Sequence, residues 1–386
     1  MICFIVFADL FVYTICTLFV LYLLFFAICS IKKTKVEPIN DLKKNRFLVL
    51  FPAYKEDSVI INSVKDFSEQ DYPKGHYHVV VISDQMKDET NETLRELGSE
   101  VLEVTFSNSS KAKALNFAMD VLDTSKYDLI VIMDADNCAS KDLLQGFNNQ
   151  YLQGFRAIQA HRTAKNMDTD MALLDAVSEE INNSIFRKGH VSIGISSALI
   201  GSGMAFDKNW FVHNVKALNT AGEDKELELL LLQQQIFIQY CDKLWVYDEK
   251  TRKEQVFYNQ RRRWLAAQYD SLHRGLQLLP EAVKNGNFAL IDKVLQWFIP
   301  SRLLLMGFVG IFSLAWLIFD WVYAIKWIAL LVILIAVFVI AIPQQLKTNK
   351  LIKAILKLPY LFVLMFLNLF RMKGMSDKFV HTKKEG

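Results

Sequence analysis

The chain has 386 residues, 52% of them apolar and 22% charged, and carries a formal net charge of +3. A charge this small and dispersed excludes a nucleic-acid binder, and the apolar share is too high for an ordinary soluble enzyme. Five cysteines without paired spacing argue against a disulfide scaffold or a zinc site. Residues 10–31 contain no charge and exceed the roughly 20 residues that cross a bilayer. Lys32, Lys33 and Lys35 follow at once. A signal peptide would carry its basic cluster ahead of the apolar stretch, so a retained anchor is expected, with the residues after it in the cytoplasm.

From about 45 to 250, short apolar runs alternate with helical stretches, the pattern of a doubly wound α/β sheet. Residues 47–51 form the first predicted strand, stopped by Pro52, and 59–70 its crossover helix. A second strand spans 77–83 and ends on Asp84; a polar helix (87–98), a third strand (101–105) and a helix (113–122) follow. The run from Leu129 to Met133 is continuously apolar and β-branched, as in a strand buried on both faces, and it delivers Asp134 and Asp136 to the carboxyl edge. Ligands of open α/β sheets bind beyond that edge, and two carboxylates there suit a divalent cation with a phosphate. A solvated turn with an Asp helix cap explains an isolated pair equally well. Asp84, ending its strand at the same edge, favours one shared crevice.

Further along, Gly201-Ser202-Gly203 is either a plain turn or a place where backbone approaches a ligand. Glu223 and Asp224 open a helical run expected to reach Gln239, where capping alone accounts for acids in the first turn. In the helical stretch 254–279, Gln260, Arg263 and Trp264 share a face. Arg suits phosphate and Trp a sugar face, whereas a juxtamembrane basic helix touching headgroups would use Arg261 and Arg262 as well. Residues 288–300 read as an interfacial helix, and 303–319 and 327–346 as a hairpin of spans joined by an external loop 320–326. Residues 354–370 either span or lie in the interface.

In this order the pieces resemble the family 2 glycosyltransferases, specifically the membrane branch containing cellulose, chitin and hyaluronan synthases and ceramide glucosyltransferase. Pro52-Ala53-Tyr54-Lys55-Glu56 resembles the family's Pro-x-Tyr-Asn-Glu, and Ser110-Lys111-Ala112-Lys113-Ala114-Leu115-Asn116 its Gly-Lys-Ala-x-Ala-Leu-Asn segment. Asp84, Asp134 and Asp136, Gly201-Ser202-Gly203, Glu223-Asp224 and Gln260-x-x-Arg263-Trp264 match the remaining motifs. Lys55, Ser110 and Gly222 depart from the usual Asn, Gly and Thr.

The resemblance implies a GT-A-like doubly wound sheet domain flanked by transmembrane helices. It implies transfer of a sugar from a nucleotide diphosphate sugar, most often UDP-linked, to a growing glycan or lipid-linked acceptor with inversion to a β bond. Mg2+ or Mn2+ would bind at Asp136, with Asp134 shared between metal and donor. Pro52, Tyr54, Glu56, Asp84 and Lys111 would hold the donor, and Gly201, Ser202, Gly203, Gln260 and Trp264 the acceptor. Asp224 would be the general base, assisted by Glu223 and Arg263. Residues 1–34 would form the anchor, 35–285 a cytoplasmic catalytic domain, 286–372 interfacial and transmembrane helices with two or three spans, and 373–386 a basic cytoplasmic tail. Membrane lipids are expected partners and nucleic acid is not; an oligomer or export partner would supply any secretion channel. Single transfer to a glycolipid is the alternative to polymer synthesis, and an inactive membrane scaffold is a third possibility.

Overall fold

The computed structural model describes residues 2–32, 43–220, 222–252 and 254–370. Lys33, Lys35 and the basic tail 373–386 lie outside the described residues. Helix α1 (Ile2–Cys29) precedes the sheet domain, which begins β1 (Phe47–Tyr54), α2 (Ile60–Phe67), β2 (Tyr77–Asp84), α3 (Asp88–Glu96), β3 (Glu100–Val104), α4 (Lys111–Val121) and β4 (Leu129–Ile132). It continues through β5 (Cys138–Ala139), α5 (Leu143–Leu152), β6 (Ala157–Ala164), α6 (Asp170–Asn182), β7 (Met204–Asp207), α7 (Lys208–Asn214), α8 (Glu223–Gln233) and β8 (Ile238–Asp248). Then come α9 (Glu254–Lys284), α10 (Phe288–Phe298), α11 (Arg302–Phe319), α12 (Trp321–Ala341), α13 (Asn349–Ile355) and α14 (Leu358–Leu369).

The eight strands lie in the order β3-β2-β1-β4-β7-β6-β8-β5. β3, β2, β1 and β4 are mutually parallel, whereas β7 runs antiparallel to both β4 and β6. Because successive side chains point to opposite faces, β1 divides its apolar residues between two cores. Phe47, Val49 and Phe51 meet Val64 and Phe67 of α2 and Phe147 of α5 on one side, while Leu48 and Leu50 meet Leu115 of α4 and Leu227 of α8 on the other. Burying both faces is what makes β1 and β4 read as uninterrupted apolar runs.

β1 does not stop at Pro52 but continues to Tyr54, with Pro52 in register opposite Ile82 of β2. The Leu50 carbonyl accepts from Met133 N at 3.0 Å on the β4 side, while the Asp84 carbonyl accepts from Lys55 N at 3.1 Å on the β2 side. Alternation then aims residue 52 toward β4, which has already ended, so its missing N–H disrupts no ladder. The helix opened by Glu223 ends at Gln233 rather than Gln239, since Gln235 adopts a left-handed φ of 53° and the chain turns into β8. Strands β5, β6, β7 and β8, unread in the sequence, extend the sheet beyond the predicted four.

Among the described residues three helices are long and apolar enough to cross a membrane, Val6–Cys29, Arg302–Phe319 and Trp321–Ala341, and a fourth span results if the pair α13 and α14, bent by 48°, counts as one. Lys357 and Pro359 mark that break, and Lys357 pairs with Asp170 of α6 at 3.1 Å. The expected loop 320–326 is absent: Asp320 caps α12 by accepting from Val322 N at 3.0 Å, and helix resumes at Trp321. Lys326 is tolerated inside α12 because Asp9 of α1 pairs with it, and Asp9 also accepts from Trp316 Nε1 at 2.5 Å and Trp327 Nε1 at 2.8 Å. Apolar residues of α1, α11 and α12 form a third core together with Val177 and Ile181 of α6, which ties the helical bundle to the sheet domain. A buried pair between Glu228 of α8 and Lys293 of α10, 2.6 Å long, makes a second tie.

Candidate active site

The parallel half of the sheet brings the predicted acids to one edge. Tyr54 and Asp84 are register partners at the ends of β1 and β2, and Asp134 follows β4 on the neighbouring side. Lys55 and Gln85, next along each chain, both take φ of 56°, so the backbone turns sharply and leaves the edge open. The buried Asp84 carboxylate accepts from Phe106 N at 3.3 Å.

Asn137 fixes the loop that carries the acid pair. Its Nδ2 donates to Asp136 at 3.3 Å, its Oδ1 accepts from Asp134 N at 3.2 Å, and the same Oδ1 accepts from Ser202 Oγ. The other Asp136 oxygen accepts from Glu249 N at 3.4 Å. Ser202 is wholly buried beneath this loop, and a Cβ on Gly203, at φ 62°, would stand 2.9 Å from Val246 Cγ2. Of the glycine turn only Gly201 reaches the cavity wall, so Ser202 and Gly203 shape the acid loop and stand off the surface expected to meet an acceptor.

Lys111 begins α4 behind the Ser110 N-cap, whose hydroxyl accepts from Lys113 N at 3.2 Å; capping accounts for a serine where the resembling family has glycine. The Lys111 ammonium donates to Asp134 at 2.5 Å and to the Gly201 carbonyl at 2.5 Å, and stands 3.4 Å from Glu223. Burial opposes its charge, yet Asp134 and Glu223 more than offset this and raise its pKa. Glu223 is the converse case. Burial pushes its carboxyl up to about 7, against the pull of Lys111 and with help from Asp224 and Asp134.

Glu226 takes the backbone donors ahead of α8, Asn219 N at 2.9 Å and Thr220 N at 3.1 Å, and Asp224 accepts from Lys225 N within the first turn at 2.9 Å. Glu223 and Asp224 also line the cavity, which capping does not require. Gln260, Arg263 and Trp264 of α9 line it too. Burial lowers the pKa of Arg263, partly offset by Glu223, Asp224 and Asp134. Arg261 also faces inward. It pairs with Asp175 and stacks between Phe257 and Trp264, its guanidinium carbon 4.7 and 4.6 Å from the ring centroids, which removes it from a headgroup role.

The cavity has a volume of ≈ 510 Å³ and runs from Tyr54, Glu56 and Asp84, past Asp134, Asp136 and Glu223, to Trp297, Ile299 and Met365 beside the apolar helices. Every predicted site residue except Ser202 and Gly203 lies on its wall: Pro52, Tyr54, Glu56, Asp84, Lys111, Asp134, Asp136, Gly201, Glu223, Asp224, Gln260, Arg263 and Trp264. Sequence reasoning missed its ionic floor. Arg162 of β6 meets Glu179 of α6 at 3.1 Å and Asp248 of β8 at 3.6 Å, and Lys250 meets the same two acids at 3.5 and 2.9 Å. Although burial disfavours its charge, Glu179 is held down to about 2 by Arg162, Lys250 and Arg187. Arg162 and Asp134 are 3.9 Å apart, so this floor reaches the acid pair.

No group of three or more His, Cys, Asp or Glu forms a metal cage among the described residues. Asp134 and Asp136, both on the wall, fit an ion of the Mg2+ type, which takes one or two carboxylates and completes its shell with phosphate oxygens.

Residues 45–267 match the family model described as glycosyltransferase like family 2. A mannosyltransferase from Pyrobaculum calidifontis, solved in complex with GDP-Man and Mn2+, shares the fold with a TM-score of 0.50 at 16% identity, covering 86% of this chain and 96% of that one. A glucosyl-3-phosphoglycerate synthase from Mycobacterium tuberculosis, solved with Mg2+ and UDP, gives a TM-score of 0.41 at 16% identity over 59% of this chain and 79% of the other. Among curated proteins, a beta-monoglucosyldiacylglycerol synthase from a Nostoc species is 31% identical over 102 residues, 25% of this chain and 21% of that protein, so the match spans about a fifth of that relative's length.

Proposed function

The chain belongs to the glycosyltransferase-like family 2 with a GT-A-like fold, and from that premise we propose a membrane-bound inverting enzyme that moves a sugar from a nucleotide diphosphate sugar to a glycan or lipid-linked acceptor. The observation that carries this is the single cavity in which acids from three strand ends, Lys111, the first turn of α8 and the Gln260-Arg263-Trp264 face converge. Pro52, Tyr54, Glu56 and Asp84 hold the nucleoside. Asp136 would be the principal ligand of a Mg2+ or Mn2+ ion, and Asp134 would support the ion or the donor. The ion, when bound, supplies positive charge to the leaving diphosphate. Lys111 and Arg263 add charge where it develops as the bond breaks. Asp224 takes the proton from the acceptor hydroxyl as its oxygen attacks the anomeric carbon from the face opposite the diphosphate, so an α-linked donor yields a β bond. Trp264 stacks on the acceptor sugar, flanked by Gln260 and Gly201.

The proposed organisation follows the same lines: α1 as anchor, a cytoplasmic catalytic domain through α9, and α10 to α14 at and across the membrane. Single transfer to a lipid is favoured over polymer synthesis by one observation. The cavity ends among Trp297, Ile299, Pro300 and Met365, beside the apolar helices, where a lipid headgroup would enter. The name of the Nostoc relative agrees with that choice. Incubating the full chain in native membranes with a panel of radiolabelled nucleotide sugars, with and without a chelator, tests both levels. Label in a lipid-extractable product supports single transfer, label in a long polymer supports a synthase, and donor binding without transfer to any acceptor means a scaffold.

A further inference from the structure

Arg302 is a cation that the donor chemistry leaves unused. It opens α11 and its side chain lines the membrane-side end of the cavity, with Arg261 and Arg187 close enough to oppose its charge. Those two neighbours are balanced, Arg187 by Glu179 at 3.3 Å and Arg261 by Asp175. Arg302 instead donates to neutral oxygens alone: the Ser178 carbonyl at 2.8 Å, Ser178 Oγ at 2.9 Å and Asn182 Oδ1. Among the described residues no carboxylate pairs with it. Glu179, the acid within electrostatic reach, already serves Arg162, Arg187 and Lys250.

A partly buried guanidinium held by neutral oxygens alone is costly unless an anion completes its surroundings. Three of its five N–H donors go to Ser178 and Asn182, which leaves two, one on Nε and one on Nη1, to donate to phosphate oxygens. Trp297, Ile299, Pro300 and Met365 give the same end of the cavity an apolar rim on the side of the membrane helices. We propose that this end of the cavity is an anion subsite that seats a phosphate or diphosphate group of the acceptor on Arg302, with Arg261 in support, while a separate hydroxyl of the acceptor reaches Asp224. The inference rests on the glycosyltransferase reading and adds the class of acceptor, a phosphate-bearing one.

The test uses the purified full chain in phosphatidylcholine nanodiscs. Wild type, Arg302→Gln and Arg302→Lys are compared for retention of phosphatidic acid against diacylglycerol by native mass spectrometry, with labelled donor binding measured in parallel. Wild type retains phosphatidic acid in preference to diacylglycerol; Arg302→Gln loses that preference by about tenfold or more, as expected for losing a charged hydrogen-bond donor. Arg302→Lys recovers part of it, and donor binding is unchanged in both variants, which also shows that they fold. Displacement of phosphatidic acid by inorganic phosphate at comparable concentration would support the anion subsite and assign it to a soluble phosphorylated acceptor. Equal retention of the two lipids, or retention unaltered in Arg302→Gln, overturns the subsite and leaves the glycosyltransferase reading standing. Failure of the wild type to bind any nucleotide sugar overturns both.

Discussion

Replacing Glu223 by Gln should stabilise the ligand-free protein at alkaline pH while damaging transfer. Glu223 is buried at the start of α8, and its carboxyl is lifted from 4.5 to about 7 although Lys111 stands 3.4 Å away. A carboxyl whose folded pKa lies above its unfolded one binds more protons folded than unfolded between the two values. Stability therefore falls as pH climbs from 4.5 through about 7 and stays reduced above. Each pKa unit corresponds to about 1.4 kcal/mol, so ionising Glu223 costs roughly 3 kcal/mol in the ligand-free fold. Gln mimics the protonated acid and escapes the cost. Thermal unfolding of the full chain in detergent, followed by tryptophan fluorescence from about pH 5 to about pH 8, should show wild type and Glu223→Gln converging at the acid end. At the alkaline end the variant should melt on the order of 6–12 °C higher, at roughly 2–4 °C per kcal/mol for a domain of this size. Groups away from the cavity titrate alike in both proteins, so the difference reports Glu223 together with the neighbours it acts on, Lys111, Asp134 and Asp224. A pH-independent difference, or a variant that melts lower at about pH 8, would refute the reasoning.

Asp136→Ala removes the principal proposed metal ligand, and metal-dependent donor binding should fall at least about a hundredfold in a filter-binding assay with and without Mn2+, the scale of losing one preorganised charge. Asp224→Asn should bind donor as tightly as wild type yet lose about 10²–10⁴-fold in transfer rate, the range for removing a general base; normal turnover would remove Asp224 from the mechanism. Lys55 holds a left-handed φ of 56°, which a β-carbon disfavours and asparagine tolerates, so Lys55→Asn should raise the unfolding free energy by about 1 kcal/mol in denaturant titration. An unchanged midpoint would mean that the contact of the Lys55 ammonium with the Tyr54 ring, 5.1 Å from its centroid, matters more than the backbone strain.

What the sequence made legible follows from the parallel half of the sheet. A strand buried on both faces writes itself as an unbroken apolar run, and the first polar residue after it must lie at the carboxyl edge; hence Asp84 and Asp134 could be placed before any coordinates. The other half of the sheet offered no such signal. β8 alternates buried and exposed positions and follows a helix without a glycine or proline boundary, so the helical reading ran on past Gln233. The ionic floor was illegible for a different reason. Arg162 and Glu179 are 17 residues apart on different elements, and Ser202 reaches Asn137 across 65, so only the packed sheet gives these polar groups partners. The Asp9 and Lys326 pair, 317 residues apart, shows the same limit inside the helical bundle, where a lysine that looked like loop becomes part of a helix once its counter-charge is known.

Glu223 and Arg302 share a physical logic despite their opposite signs. Each is a charge whose own surroundings leave it incompletely compensated, and the two stand on the wall of one cavity, Glu223 among the acids of the sheet edge and Arg302 at the apolar helices. Burial disfavours the ionised Glu223 carboxylate, and Arg302 is held by neutral oxygens without a carboxylate of its own, so bound groups of opposite charge would complete both. At Glu223 the completing charge would be the cation of the donor complex, which lowers the cost of the ionised carboxylate. At Arg302 it would be an anion brought by the acceptor. On this logic the cavity is stabilised most when both substrates are present, and the unfolding temperature should rise further with donor, Mn2+ and a phosphate-bearing lipid together than with either substrate alone. The Glu223→Gln and Arg302→Gln proteins should each lose one of those two increments and keep the other.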